Sequence, residues 1–253
     1  MILDSHAHID VVPSFGWFDT AEKLIGMMDE AGVSMAAVSG YYNLPGPNPE
    51  SIQLIAEAVQ KYPDRIIGYI RLDPWFEGKC LEQLDLAVKE YGIRGVKLHP
   101  AHYTLHPFGD QTVRLARRAG EYGIPMLFHS GDEMMCLPYQ IDRLAAQAPE
   151  TTIILAHTGG FFSNKAAIEV ARRRENVYVD TCEIPLPRVV KQAVQELGAE
   201  KVLFGTDAPC CDIKVEIRKV ELAGLSQEEE RLVFFENYAN LMGIELPDGD
   251  EKK

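Results

Sequence analysis

Two histidines separated by a single residue, His6 and His8, follow an apolar start to the chain. In a β-strand, positions two apart point to the same face, so this spacing aims two imidazoles at one point. Later apolar runs end in residues of the same chemistry: His99, His129 and His157, and the carboxylate of Asp207. Nitrogens from several strand ends together with one carboxylate suit zinc or a similar divalent ion, with a coordination position left open for water. Taken singly, each of these residues is as well read as a polar cap or a satisfied core histidine. Their recurrence at the ends of apolar runs is what points to a shared site. Two cations have similar placements, Arg71 and Lys97, and Lys97 lies two positions before His99 so that both could face the same way.

The elements that must position these side chains alternate along the whole chain. Apolar runs at 2–4, 33–39, 66–72, 93–99, 125–129, 152–157, 177–182 and 202–207 are candidate strands, and they are rich in Val, Ile and Leu as in strands buried on both faces. Between them run helical stripes at i, i+3, i+4 and i+7: Leu24, Met27, Met28 and Ala31; Ile52, Ile55, Ala56 and Val59; Ile141, Leu144, Ala145 and Ala148; Val190, Ala193, Val194 and Leu197. Gly32, Gly92, Gly123 and Gly198 fall where left-handed caps would close helices before the next strand. A helix after every strand implies parallel pairing with right-handed crossovers. Eight such units fit an α/β architecture of the (β/α)8 TIM-barrel type, whose active site lies at the C-terminal ends of the strands. The rival, an open doubly wound sheet, calls for a Gly-x-Gly-x-x-Gly loop, and Gly159-Gly160 is only an isolated pair. The expectation is one barrel domain over 1–246, ending in one or two helices within 227–242, and a polar tail over 247–253. In a closed barrel the eighth strand neighbours the first, which brings Asp207 to His6 and His8, with His129 reaching in from across the mouth.

Composition narrows the partners. The 253 residues are 46% hydrophobic and carry a formal net charge of -13, which opposes non-specific binding to nucleic acid or to an anionic membrane. No apolar run is long enough to span a bilayer, and the N-terminus lacks a signal-peptide pattern, so a cytoplasmic location is expected. Five scattered cysteines without Cys-x-x-Cys spacing suggest neither a disulfide framework nor a structural zinc site. The expected partner is a small molecule.

Taken in order, Asp4-Ser5-His6-Ala7-His8, Gly95-Val96-Lys97-Leu98-His99-Pro100, Phe128-His129-Ser130-Gly131, Ala156-His157-Thr158-Gly159-Gly160 and Phe204-Gly205-Thr206-Asp207-Ala208-Pro209 give the chain a specific pattern. It resembles the amidohydrolase superfamily, and more closely the amidohydrolase-related branch of metal-dependent hydrolases and decarboxylases. The resemblance implies metal binding by His6, His8, His129 and Asp207, with His157 as a catalytic or second-metal residue. One ion is favoured over two, zinc first and manganese second. In binuclear members of the superfamily a carbamylated lysine on the fourth strand bridges two ions, and Lys97 stands where that lysine would be. Left unmodified, Lys97 would be a cation for substrate. Barrels of this family are often dimers, which makes a homodimer an expectation by resemblance.

The chemistry expected of such a site is hydrolysis of a small amide, ester or lactone. Asp207 would act as general base, and His157 would hydrogen-bond the developing oxyanion. Arg71, Lys97 and His99 are the candidate substrate-binding residues. A carboxylate held by Arg71 is one reading, and a structural pair of Arg71 with Asp73 the other. The alternative activity is non-oxidative decarboxylation of an aromatic or unsaturated acid. It is placed second because many decarboxylases of the branch carry an acid where this chain has His6. A third reading is a catalytically silent barrel retained for binding.

Overall fold

All eight expected strands are present and lie side by side. The computed structural model describes residues 1–41 and 45–246, so the expected tail at 247–253 lies outside the described residues. The barrel strands are β1 (Leu3–His8), β4 (Met35–Ser39), β5 (Ile66–Arg71), β6 (Gly95–Leu98), β7 (Met126–Phe128), β8 (Ile153–Leu155), β9 (Val177–Asp180) and β10 (Val202–Leu203). They pair in that order, and each ladder is parallel. Closure comes from the segment after β10. The Ser5 N–H donates to the Phe204 carbonyl at 2.9 Å, the Asp207 N–H to the His6 carbonyl at 2.8 Å and the His8 N–H to the Ala208 carbonyl at 2.7 Å. This is the (β/α)8 TIM barrel that the alternation of strand and helix patterns predicts.

The helices follow the expected stripes. They are α1 (Ala21–Ala31), α2 (Pro49–Lys61), α3 (Glu77–Tyr91), α4 (Asp110–Glu121), α5 (Pro138–Gln147), α6 (Asn164–Arg173), α7 (Pro187–Leu197), α8 (Ile213–Glu221), α9 (Gln227–Arg231) and α10 (Asn237–Met242), with a π-helical stretch at Leu232–Glu236 joining the last two. Leu24 and Met28 of α1, Ile52 and Ile55 of α2, Ile141 and Leu144 of α5, and Ala193 and Val194 of α7 are buried against the strands. Each large aliphatic side chain so buried contributes about 1.5–3 kcal/mol of transfer free energy. None of the described helices is long and apolar enough to cross a membrane.

Three local departures bear on the site. The first strand runs on to His8 where the apolar run predicts an end at Asp4, because its polar residues are satisfied inside the barrel: Asp4 accepts from the Thr206 hydroxyl and from the N–H groups of His6 and Thr206. An unexpected antiparallel hairpin, β2 (Asp10–Val12) and β3 (Trp17–Asp19), follows it, turned at Pro13–Phe15 with Gly16 at φ 70°. The expected eighth strand is cut short: its ladder to β9 covers two residues, and Asp207 adopts φ 58° just beyond it. Among the predicted caps, all four glycines take positive φ, but Gly32, Gly92 and Gly123 do so at 74°, 66° and 67°, whereas Gly198, at φ 86°, has ψ 149° and so lies outside the left-handed helical region, feeding a short 3-10 turn.

Candidate active site

The tight corner of the barrel mouth is where β1 meets the turn after β10. His6 and His8 do share a face: their Nε2 atoms lie 3.1 Å apart, and Asp207 Oδ1 is 3.2 Å from the first and 3.0 Å from the second. Both rings are buried, and the remaining nitrogens fix the proton positions. His6 Nδ1 donates to Asp180 Oδ2 at 2.9 Å, and His8 Nδ1 lies 3.3 and 3.2 Å from the carbonyls of Ser39 and Gly40. A proton on each Nδ1 leaves a lone pair on each Nε2. Burial, first among the causes, holds both imidazoles below the ordinary histidine pKa and so neutral. For Asp207, burial raises the pKa, and positive charge at the His6 and His8 corner it faces would outweigh that and keep the carboxylate ionised. Two lone pairs and a carboxylate oxygen thus converge on one small volume. Such a set calls for a cation, and among the described residues Lys97, whose Nζ is 2.6 Å from His6 Nε2, reaches it. The donor chemistry, two neutral imidazoles and a carboxylate with their outer nitrogens anchored, fits a divalent ion.

The expected fourth ligand stands apart from this trio. His129 follows β7, its N–H donating to the Leu98 carbonyl at 2.8 Å. Its Nδ1 is 3.1 Å from His157 Nε2, and its ring stacks on His99 at 3.9 Å, which in turn stacks on His102 at 3.6 Å. His6, His8 and Asp207 form one candidate metal group; His99, His129 and Glu133 form another. Burial pulls His129 below its ordinary pKa, His99 to about 2 and His102 to about 4, so the column of rings is uncharged. His157 is the exception. Burial lowers its pKa, but the Glu183 carboxylate 3.0 Å from its Nδ1, with Asp207 and Asp180 nearby, raises it above the ordinary value.

His157 and Thr158 sit in a 3-10 turn with φ of 60° and 44°. The glycine pair after them has a packing role: a Cβ on Gly160, itself at φ 73°, would lie 2.9 Å from both Gly131 Cα and Asp132 Oδ2. The turn after β8 can therefore press against the turn after β7, and Asp132 binds the two by accepting from the N–H groups of Phe161 and Phe162. Asp132 is thus a strap between loops.

A cavity of 570 Å³ opens over these groups, lined among others by His8, Trp17, Tyr41, Arg71, Lys97, His99, His102, His129, His157, Glu183 and Asp207. All three candidate substrate-binding residues face it. Lys97 is buried, and burial first, then Arg71, brings its amine down to about 8. Arg71 is not paired with Asp73, whose carboxylate instead accepts from the N–H groups of Gly46 and Trp75.

Sequence reasoning passed over the floor of the site. Asp180, at the end of β9, receives His6 Nδ1 on one oxygen and the His157 N–H on the other at 2.7 Å. The Cys182 thiol lies 3.2 Å from the Nδ1 atoms of both His6 and His157 and donates to Asp180 Oδ1. The signal was available: the run at 177–182 carries an acid, Asp180, two residues before its end at Cys182.

With this geometry in view, the chain belongs to the amidohydrolase family, whose sequence profile (Amidohydro_2) matches residues 4–243. No curated protein sequence matches it. Its fold is similar to that of solved amidohydrolase-superfamily barrels. One is 5-carboxyvanillate decarboxylase from Sphingomonas paucimobilis, with TM-score 0.80 and 13% identity over 96% of this chain and 99% of that one. A dihydroxybenzoic acid decarboxylase from Polaromonas, with bound manganese and the inhibitor 2-nitroresorcinol, has TM-score 0.74 and 18% identity over 99% of each chain. A probable 2-pyrone-4,6-dicarboxylic acid hydrolase from Acinetobacter baumannii, with citric acid bound, has TM-score 0.74 and 17% identity over 96% and 99%. The family contains metal-binding enzymes of both kinds, decarboxylases and hydrolases.

Proposed function

We propose that the protein is a metal-dependent hydrolase acting on the amide, ester or lactone carbonyl of a small, carboxylate-bearing molecule. The observation that carries the reading is the convergence of His6 Nε2, His8 Nε2 and Asp207 Oδ1 at 3.0–3.2 Å in the cavity. These residues would hold one divalent ion, zinc in the first instance given two imidazoles and a carboxylate, with manganese the alternative. His129, the fourth ligand expected by resemblance, faces His157 and would have to turn from it to join this set. Bound there, the ion would lower the pKa of water from about 15.7 to about 7.

The residues of the chain supply the rest. Asp207, held ionised, accepts the proton of the attacking water and returns it to the leaving group. His157, its pKa raised and its Nδ1 anchored by Glu183, would give its Nε2 proton, which faces His129 Nδ1 at 3.1 Å, to the oxygen that gains charge. Asp180 keeps His6 in the tautomer that leaves Nε2 free. His99 and His102, stacked and uncharged, form a flat wall beside the reacting group.

One ion is preferred because three buried donors converge at the His6 corner, whereas the groups around His129 and His157 draw on the exposed acids Glu133 and Glu183. The 3.1 Å approach of His129 Nδ1 to His157 Nε2 favours, as a second reading, another ion with Lys97 as the bridge after carbamylation. Metal analysis after purification in metal-supplemented medium separates the two: about one ion per chain supports the first reading, and two ions with a carbamate mass on Lys97 the second.

Decarboxylation is the competing activity, and the similarity in fold to two decarboxylases favours it. A panel decides. Hydrolysis of N-acyl, ester or lactone substrates without carbon dioxide release upholds the proposal; carbon dioxide from hydroxybenzoates without hydrolysis reverses it.

A further inference from the structure

The metal corner uses His6, His8 and Asp207, but Arg71, on the wall beside it, is left over. Arg71 ends β5 and lines the cavity, yet it is only 5% exposed. No ion pair or hydrogen bond of its guanidinium is found among the described residues, and its buried Nε and Nη1 have no partner. The acids that act on it from nearby are engaged elsewhere: Asp207 faces His6 and His8, and Asp10 accepts the N–H of Tyr41. The other cation of the wall, Lys97, has His6 Nε2 at 2.6 Å. Guanidinium stays charged in proteins, and burying it unpaired is among the most costly arrangements a fold can hold. A charge placed in this way beside a cavity is half of a pair whose other half arrives with the ligand.

We propose that Arg71 binds a carboxylate of the substrate that takes no part in bond cleavage, so that the product leaves still carrying it. This rests on the reading of the His6, His8 and Asp207 corner as the reaction centre. Position is the first argument. Arg71 pairs in register with Lys97 of β6, while the corner is built from β1 and the turn after β10; β4 lies between β1 and β5. Adjacent strands are about 4.8 Å apart, so the backbone of Arg71 stands about two strand spacings from that of the corner, although long side chains reach inward across the mouth, as Lys97 does to His6.

Electrostatics is the second argument. In decarboxylation, negative charge leaves the carboxylate for carbon as the bond between them breaks. A guanidinium that pairs with the reactant carboxylate binds it more strongly than the transition state and so raises the barrier. On a carboxylate that persists, the same contact binds reactant and transition state alike and fixes orientation, with a planar fork matched to two oxygens. The bond changes are then confined to the corner: water adds its oxygen to the acyl carbon, the bond from that carbon to nitrogen or oxygen breaks, and the leaving atom takes a proton. The carboxylate on Arg71 is unchanged.

The test uses the full chain, first freed of metal by dialysis against a chelator, and titrates it calorimetrically with benzoate and with benzamide, its neutral counterpart of similar shape. Benzoate is expected to bind at least about tenfold more tightly than benzamide, the difference a charge-assisted contact gives. Arg71→Met is expected to remove that preference, and Arg71→Lys, which keeps a charge without the fork, to retain part of it. Reloading with zinc or manganese is expected to leave in place both the preference for benzoate over benzamide and its dependence on Arg71. Equal binding of the two probes, an unchanged Kd in Arg71→Met, or benzoate binding that appears only with metal overturns the proposal. Thermal melting of Arg71→Met, expected to be no lower than that of the unaltered chain, separates lost binding from lost folding. A protein that retains no metal would sink the hydrolase reading instead, and the benzoate result on metal-free protein would still stand.

Discussion

Two buried, charged regions lie on the same barrel mouth and are finished in opposite ways. At the corner of β1 and the turn after β10, each ring nitrogen of His6 and His8 and an oxygen of Asp207 has a neighbour within 3.3 Å, and behind them Asp180 and Cys182 engage the far sides of His6 and His157. At the end of β5, Arg71 is as deeply buried, and two of its nitrogens have no partner. The difference teaches how to read buried polarity. A saturated cluster whose outer atoms are anchored is preorganised, with its geometry set before anything binds. An unpaired buried charge is costly, and a ligand that pairs with it would remove that cost.

The largest effect should come from breaking the saturated corner. Asp207→Asn is expected to lower turnover by about 10²–10⁴-fold through loss of the base, and to reduce metal retention, followed by metal analysis beside the hydrolysis assay. Full rate in that variant would show that the corner is not the reaction centre. Next is the anchor behind it. Asp180→Asn leaves His6 in place but weakens the partner of its Nδ1, and a loss of about 10–100-fold in metal affinity is expected, measured by competition with a fluorescent chelator. An unchanged affinity would make Asp180 a purely structural acid.

The unsaturated wall should respond in the opposite direction. Arg71→Met removes buried donors that lack partners, each of which costs about 1–3 kcal/mol when left unsatisfied, so urea denaturation should show stability equal to or above that of the unaltered chain. A clear destabilisation would mean that Arg71 is paired in solution. The smallest effect concerns the neutral rings beside both regions. His99 is held at about 2 in the folded chain, first by burial and then by His102 and Arg71, against about 6.5 when unfolded. Below pH 6.5 the unfolded chain takes up this proton and the folded chain does not, so His99 should cost stability as pH falls from about 6.5 towards 2, with a slope of at most about 1.4 kcal/mol per pH unit. Chemical denaturation at pH 6.5 and 5.5 of the unaltered chain and His99→Asn should show a shallower fall in the variant.

Much of this was legible in the residues. Strand and helix periodicities gave the barrel, and once a barrel closes, its eighth strand must bring Asp207 to His6 and His8. The period-two rule placed His6 with His8, and Lys97 with His99, on common faces. What escaped was set by contacts distant in sequence. Asp180 and Cys182 matter because β9 passes beneath His6, 174 residues away for the Asp180 bond. His129 is turned towards His157 and His99 by ring stacking that no local pattern encodes.

The sequence by itself determined the architecture and the rim on which every candidate residue stands, because hydrophobic periodicity and side-chain alternation are local properties of a chain. Only the tertiary structure decided the finer contacts: that His129 faces His157, that Asp180 lies behind His6, and that Arg71 has no acid partner among the described residues. Pairing and desolvation depend on which strands are neighbours and on how deeply each side chain is covered, and those quantities exist only once the barrel has closed.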